Sequence, residues 1–292
     1  AALLGDDSNA LARSEIAQPA QFAFQLALAE LWRTLGVTPV AVCGHSIGEY
    51  AAACSAGMLA AEDALVTLAA RGRLMDELAA PGGMLAVDAD RDSLGPHLAG
   101  VEDVSMAAFN GPGQTVCAGP RNSLGVLSER LRAAGMRVTE ITVPHAFHSS
   151  LMRPMVEPFR ALARGVPHAA ASVPFVSCVT GSRIEPGDSV DGDYWADHVE
   201  MPVDFQAGFH RLLDSRASHV LEIGPRPTLT ALGQAMVDDG VVSWTHQPGE
   251  CRSPLSAFLG ALGRLFTAGV PINWSALDDR PSRHTFHLPT YP

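Results

Sequence analysis

Two short stretches carry the residue types that could do chemistry. Residues 41–50 read AVCGHSIGEY, with Gly44-His45-Ser46-Ile47-Gly48 at the centre. A short apolar run enters this stretch, and a small-residue, helix-compatible run leaves it. G-x-S-x-G between a strand and a helix is a nucleophile elbow. Its glycines allow close backbone approach on a tight turn, and the turn lifts the Ser46 hydroxyl clear of the sheet. The N–H of Ile47 can then point at an oxyanion, and the helix N-terminus adds a field that favours negative charge. A Gly-Ser turn without chemistry would also satisfy the five-residue pattern, but the strand–turn–helix setting favours the nucleophile.

A serine hydroxyl needs a base. Among 11 histidines, the stretch VPHAFHSSL supplies His145 and His148, three apart on a loop-like segment. A metal pair is conceivable, yet no third ligand stands near at a telling spacing, so no metal site is expected. By spacing alone, His148 is one candidate base among several, and most lone histidines are structural or surface residues.

The surrounding elements must position these groups. AQPAQFAFQLALAELWRTLG places Phe24, Leu28, Leu31 and Trp32 at helical spacings before Gly36, and TPVAVCG reads as a short buried strand. A helix follows Ser46, and AEDALVTLAARGRLMDELA continues helically to Pro81-Gly82-Gly83. Helix, strand, sharp turn, helix is the rhythm of an α/β protein. Residues 84–143 change character and read β-α-β-β-α-β, the ferredoxin-like order, with an Asn-Gly-Pro-Gly turn between two strands. We read them as a small subdomain inserted into a large one made of residues 1–83 and 144–276. VPFVSCVTG and SHVLEIGP are strand candidates there. PLSAFLGALGRLFTAG is a helix with Leu255, Phe258, Leu259, Leu262, Leu265 and Phe266 along one side. Residues 277–292, rich in proline and without periodicity, read as an extended linker.

Composition narrows the function classes. The chain has 292 residues, 47% hydrophobic, and a formal charge of −11. A nucleic-acid binder would need a basic face, so none is expected. No apolar run reaches the length of a membrane span, and the N-terminus lacks the pattern of a signal peptide. Five widely spaced cysteines without a CxxC suit free thiols in a reducing cytosol. The chain lacks a starting Met and is read as a segment of a longer polypeptide.

At this point the sequence resembles a known family. AQPAQFA, GHSIGEYAAA, ARGRLM, NGPGQTV, HAFHSSLM, VTG, YWADHVEMPVDF, LEIGPRPTL, GVPINW and LPTYP run in family order from residue 17 to the end. They resemble the acyltransferase domains of modular polyketide synthases and, more distantly, the malonyl-CoA:acyl-carrier-protein transacylases. The resemblance implies an α/β-hydrolase-like large subdomain around the ferredoxin-like insert, and a ping-pong transfer. Ser46 would attack an acyl-CoA thioester, and the phosphopantetheine thiol of an acyl carrier protein would take the acyl group. His148, last residue of HAFH, would be the base of a Ser–His dyad. A backbone carbonyl, by position that of His198, would orient it. Arg71, in AARGRLM, would bind the substrate carboxylate with its guanidinium fork; without the resemblance it reads as a solvated helix-end cation. Gln18 and His45 would line the site.

In the family, the four residues ending in the histidine track the acyl group. His145, Ala146 and Phe147 match the malonyl form HAFH, whereas YASH accompanies methylmalonyl. Phe147 leaves less room for a methyl branch than serine does, and Ile47 also agrees with malonyl. The resemblance implies malonyl-CoA as donor, no metal or redox cofactor bound by the domain, and a cytoplasmic setting. Its partners would be a carrier protein and the adjacent ketosynthase and linker domains. Residues 277–292 would be the post-acyltransferase linker. Family members also carry an upstream GQGSQ segment that supplies a second oxyanion amide. Without it, these 292 residues are expected to be poorly stable or weakly active. Methylmalonyl transfer, a thioesterase that sends water to the acyl-serine, and a non-catalytic docking module are the rival readings.

Overall fold

A computed structural model describes residues 10–238, 243–244 and 253–277. Helix α1 (Ser14–Thr34) begins before the AQPA stretch and carries Pro19 in its interior. Its residues Ser14, Gln18 and Phe22, spaced four apart, are buried. They meet α3 (Ala61–Leu78), against which α1 makes its main packing. The approach is close because Gly72 has no side chain: a Cβ there would stand 2.4 Å from the Ser14 carbonyl oxygen.

Strand β1 (Val42–Cys43) leads into the elbow, and α2 (Gly48–Ser55) leaves it. The strand is shorter than TPVAVCG suggested. It runs parallel to β6 (Phe175–Val176), which pairs antiparallel with β7 (Arg183–Ile184). Tyr50, Met58, Leu68, Met75, Phe159, Phe175 and Trp195 form the wholly buried centre of the large subdomain.

The insert follows the expected order: β2 (Gly83–Val87), α4 (Arg91–Leu94), β3 (Ser105–Gly111), β4 (Gln114–Gly119), α5 (Arg121–Ala133) and β5 (Val138–Ile141). The sheet order is β5-β2-β4-β3, with β2–β5, β2–β4 and β3–β4 antiparallel. The two faces of β2 pack differently. Leu85 and Val87 meet Leu124, Leu127 and Leu131 of α5, whereas Met84 joins a second cluster with Val203, Phe205 and Phe209. Both faces are covered, which explains the unbroken apolar run MLAV. One feature differs from an isolated ferredoxin-like unit. After α6 (Arg153–Ala163) and α7 (Gly192–Glu200), the strand β8 (Val203–Asp204) pairs parallel with β3 and extends the small sheet. The small sheet therefore takes a strand from outside residues 84–143.

Helix α8 (Phe205–Leu213), strand β9 (His219–Val220), helix α9 (Thr228–Gln234), strand β10 (Ser243–Trp244) and helix α10 (Pro254–Thr267) complete the described chain. On α10, Leu262 and Leu265 are buried against Trp32, while Leu255, Leu259 and Phe266 are exposed, so its apolar side is only partly covered. The Pro-rich tail lies outside the described residues beyond Leu277, as does Cys251. Cys43, Cys54, Cys117 and Cys178 are free thiols. No described helix is long and apolar enough to cross a membrane.

Candidate active site

The elbow forms because its backbone is unusual and its neighbourhood is crowded. Ser46 has φ of 51°, in the left-handed region, so the hydroxyl stands out between β1 and α2. A Cβ on Gly44 would lie 2.2 Å from the Glu49 nitrogen, so only glycine fits there. Gly48 is different: a Cβ there would meet Gln25 Nε2 at 3.7 Å, ordinary contact.

Ser46 Oγ lies 2.6 Å from His148 Nε2. His148 also has a left-handed backbone, φ 56°. Its Nδ1 donates to the Met201 carbonyl at 2.9 Å. A carbonyl only accepts, so the ring proton sits on Nδ1 and Nε2 is free to accept the serine proton. The expected orienting backbone, that of His198, is joined by a second, and the 2.9 Å bond is the second's. The carbonyl in this bond belongs to Met201, three residues past His198, because α7 ends at Glu200 and frees the following carbonyl for the ring. The His198 backbone acts on His148 in the same direction, and both favour its protonated form. The His198 ring faces elsewhere: its Nε2 donates to the Ser46 carbonyl at 3.1 Å.

Burial, then the charge of Arg71, hold His148 well below the usual imidazole range, at about 3. Arg71 is itself 1% exposed, which excludes the solvated helix-end reading. It donates to Gln18 Oε1 at 2.6 Å and contacts Met75 Sδ. Its Nε has no partner, and no carboxylate pairs with it among the described residues. A buried guanidinium without an anion is costly, and a bound carboxylate would remove that cost. Ile47 N–H donates to no acceptor among the described residues, so it is free to meet an oxyanion.

The remaining expected residues divide. His45 Nε2 bonds Asn110 Oδ1 at 2.8 Å, and burial lowers its pKa. Asn110 lies in β3, one residue before its end; sequence reading saw only the Asn-Gly-Pro-Gly turn and missed this bridge from the insert to the elbow. His145 bonds Asp76 at 3.0 Å, away from Ser46. Ala146 is wholly buried against Gly82. Phe147 alone of the three is partly exposed, and it packs against the cores of both subdomains. No group of three or more potential metal ligands occurs among the described residues.

Comparison with known proteins meets this geometry from outside. The model of the acyl transferase domain matches residues 1–270. The chain belongs to the acyl transferase domain family. It is 40% identical over 287 residues, 98% of this chain, to the phenolphthiocerol synthesis polyketide synthase type I Pks15/1 of Mycobacterium bovis. The same identity, over the same share of this chain, is found to Pks1 of Mycobacterium tuberculosis, whose name describes it as inactive. The chain spans only 13% and 18% of those two relatives. In structure it is similar to the acyltransferase domain of the second module of the salinomycin polyketide synthase. That match has a TM-score of 0.85 and 38% identity, and covers 94% of this chain and 67% of the other. That neighbour is an acyltransferase domain of a polyketide synthase, and this chain shares its α/β fold.

Proposed function

We propose that this domain loads a malonyl group from malonyl-CoA onto Ser46 and passes it to the phosphopantetheine thiol of an acyl carrier protein. The observation that carries the reading is Arg71: a buried guanidinium, without a carboxylate partner, electrostatically coupled to the Ser46–His148 pair. A malonyl group brings both a thioester for Ser46 and a carboxylate for Arg71.

The steps follow from the proton positions. Ser46 gives its proton to His148 Nε2 as its oxygen bonds the thioester carbonyl carbon. The oxyanion that forms faces the Ile47 N–H. The C–S bond breaks, and the proton on Nε2 goes to the leaving CoA thiolate. The carrier thiol then repeats the sequence in reverse. Arg71 supports more than binding. Its charge lowers His148, so a carboxylate that neutralises it raises the basicity of His148 when the correct substrate is present. Phe147, partly exposed between the two cores, is the residue of HAFH placed to restrict a methyl branch, a discrimination of about 1–3 kcal/mol.

The test is competition between equimolar malonyl-CoA and methylmalonyl-CoA, read by intact-mass spectrometry with Ser46→Ala as control. A malonyl adduct absent from the variant supports the reading. A methylmalonyl adduct overturns the specificity. Free malonate without an adduct indicates a hydrolase, and no reaction from folded protein indicates a docking module.

A further inference from the structure

Beneath the elbow lies a carboxyl group that the Ser46–His148 pair does not use. Glu49 stands in the first turn of α2 and is wholly buried. Its Oε1 accepts the Cys178 N–H at 2.6 Å. Its Oε2 is hydrogen-bonded to the Tyr194 hydroxyl, which also lies 2.8 Å from Ser177 Oγ. Ser177 Oγ accepts the N–H groups of Val179 and Thr180. No Arg or Lys pairs with Glu49 among the described residues, and the nearest ring nitrogen is His198 Nε2 at 3.9 Å. That nitrogen is committed to the Ser46 carbonyl. Its proton sits there, the ring is neutral, and His198 Nδ1 has no partner.

A buried carboxylate with no cation is costly, and the acid form avoids the cost. The hydrogen bonds accommodate that form. A hydroxyl owns one proton, so Tyr194 donates to one neighbour and accepts from the other. With Glu49 as the acid, its O–H donates to the Tyr194 oxygen, so both carboxyl oxygens keep a partner without a buried charge.

We propose that Glu49 is a positioning residue of the nucleophile elbow and works as a neutral acid, bracing α2 on Cys178 and Tyr194 so that His198 holds the Ser46 carbonyl. The inference rests on Ser46 being the nucleophile. A left-handed serine persists only where its surroundings over-determine it, and this network supplies that restraint. Loss of the proton would set an uncompensated negative charge beside a site that builds an oxyanion, and would draw His198 Nε2 from the Ser46 carbonyl.

Burial pushes Glu49 up to about 8, against the hydrogen bonds from Tyr194 and Cys178. The other titratable groups facing it change state elsewhere. Burial raises Tyr194 and Tyr50 and lowers His198, and the Cys43 contact with burial raises Cys178. Arg71, which acts on both Tyr50 and His198, keeps its charge.

Labelling of Ser46 by a fluorophosphonate, followed by intact mass in the full polypeptide, reads elbow reactivity without an acyl-CoA. The labelling rate should fall about tenfold between pH 7 and pH 9 as Glu49 ionises. Glu49→Ala should slow labelling roughly 10–100-fold at pH 7. Glu49→Gln, whose amide can donate to Tyr194 as the acid does, should recover the rate to within about threefold and abolish the alkaline fall. A folded Glu49→Gln as slow as Glu49→Ala, or one that keeps the alkaline fall, overturns the proposal. Infrared spectra of the wild-type protein with ¹³C-labelled glutamate give a second readout. A protonated carboxyl band at pH 7 that vanishes at alkaline pH supports the proposal, and its absence at pH 7 contradicts it. A chain that is labelled normally yet takes no malonyl group would contradict the proposed function while leaving the Glu49 test intact.

Discussion

Arg71 leaves water and receives one amide oxygen, from Gln18, and a thioether contact. Replacing a buried ion with an apolar side chain of similar volume often stabilises a protein by about 1–4 kcal/mol. Arg71→Met should therefore raise the denaturant midpoint while it weakens malonyl loading, a pairing that a merely structural arginine would not give. His148 makes a second prediction. Burial and the Arg71 charge keep its ring neutral far below the ordinary imidazole range, to about 3. Fluorophosphonate labelling should then stay flat from pH 7 to about 5, where an ordinary histidine is largely protonated. His148→Gln should lower the rate about 10²–10⁴-fold. The pattern GHSIG and the HAFH stretch made Ser46 and His148 legible in the sequence. The burial of Arg71 was not, because a lone Arg between small residues on a helix carries no sign of what covers it. Of the two backbone groups that act on His148, the resemblance reached His198 and missed Met201, since spacing in YWADHVEMPV does not tell where α7 ends.

At the scale of elements, the turn separates its two glycines. Gly44 must be glycine because α2 folds back over it, whereas Gly48 has room. Gly44→Ala should cost several kcal/mol or prevent folding, well above the common range for point changes of about 0.5–3 kcal/mol. Gly48→Ala should leave the melting temperature near wild type. Thermal unfolding of the pair checks both. The order of elements was readable from apolar periodicity and Gly/Pro punctuation, including the whole β-α-β-β-α-β insert. The strands of the large subdomain came out much shorter than their apolar runs. An apolar run reports burial, and the ladder of hydrogen bonds ends sooner. The pairing of β8 with β3 joins residues nearly a hundred apart, and no local pattern announces it.

Across the whole molecule, buried neutral groups set the pH response. His45, His148 and His198 are all lowered by burial, so below pH 6.5 the unfolded chain takes up protons that the folded chain refuses. Their stability contribution is present above that pH and declines as pH falls. Glu49 has the opposite sign: its folded pKa is raised to about 8, so its contribution is present below the ordinary carboxylate range and is lost as pH rises toward 8. Each proton changes stability by about 1.4 kcal/mol per pH unit where the two states differ. Stability from these four groups should peak near pH 6.5, and Glu49→Gln should flatten the alkaline side and steepen the acid side, where Glu49 opposes the histidines. Denaturant titrations across pH measure both. The two subdomains meet at the same place, where Asn110 of the insert bonds His45 beside Ser46.

The central claim is that Arg71 holds the carboxylate of the group that Ser46 accepts. Single-turnover acylation by malonyl-CoA and by acetyl-CoA, in wild type and in Arg71→Met, tests it most directly. Loss of a charge-assisted contact predicts a fall of about 10–100-fold for malonyl-CoA, with acetyl-CoA unchanged or faster once the charge that depresses His148 is gone. Equal losses for both donors would contradict the account, because Arg71 would then support the fold of the site and not the substrate.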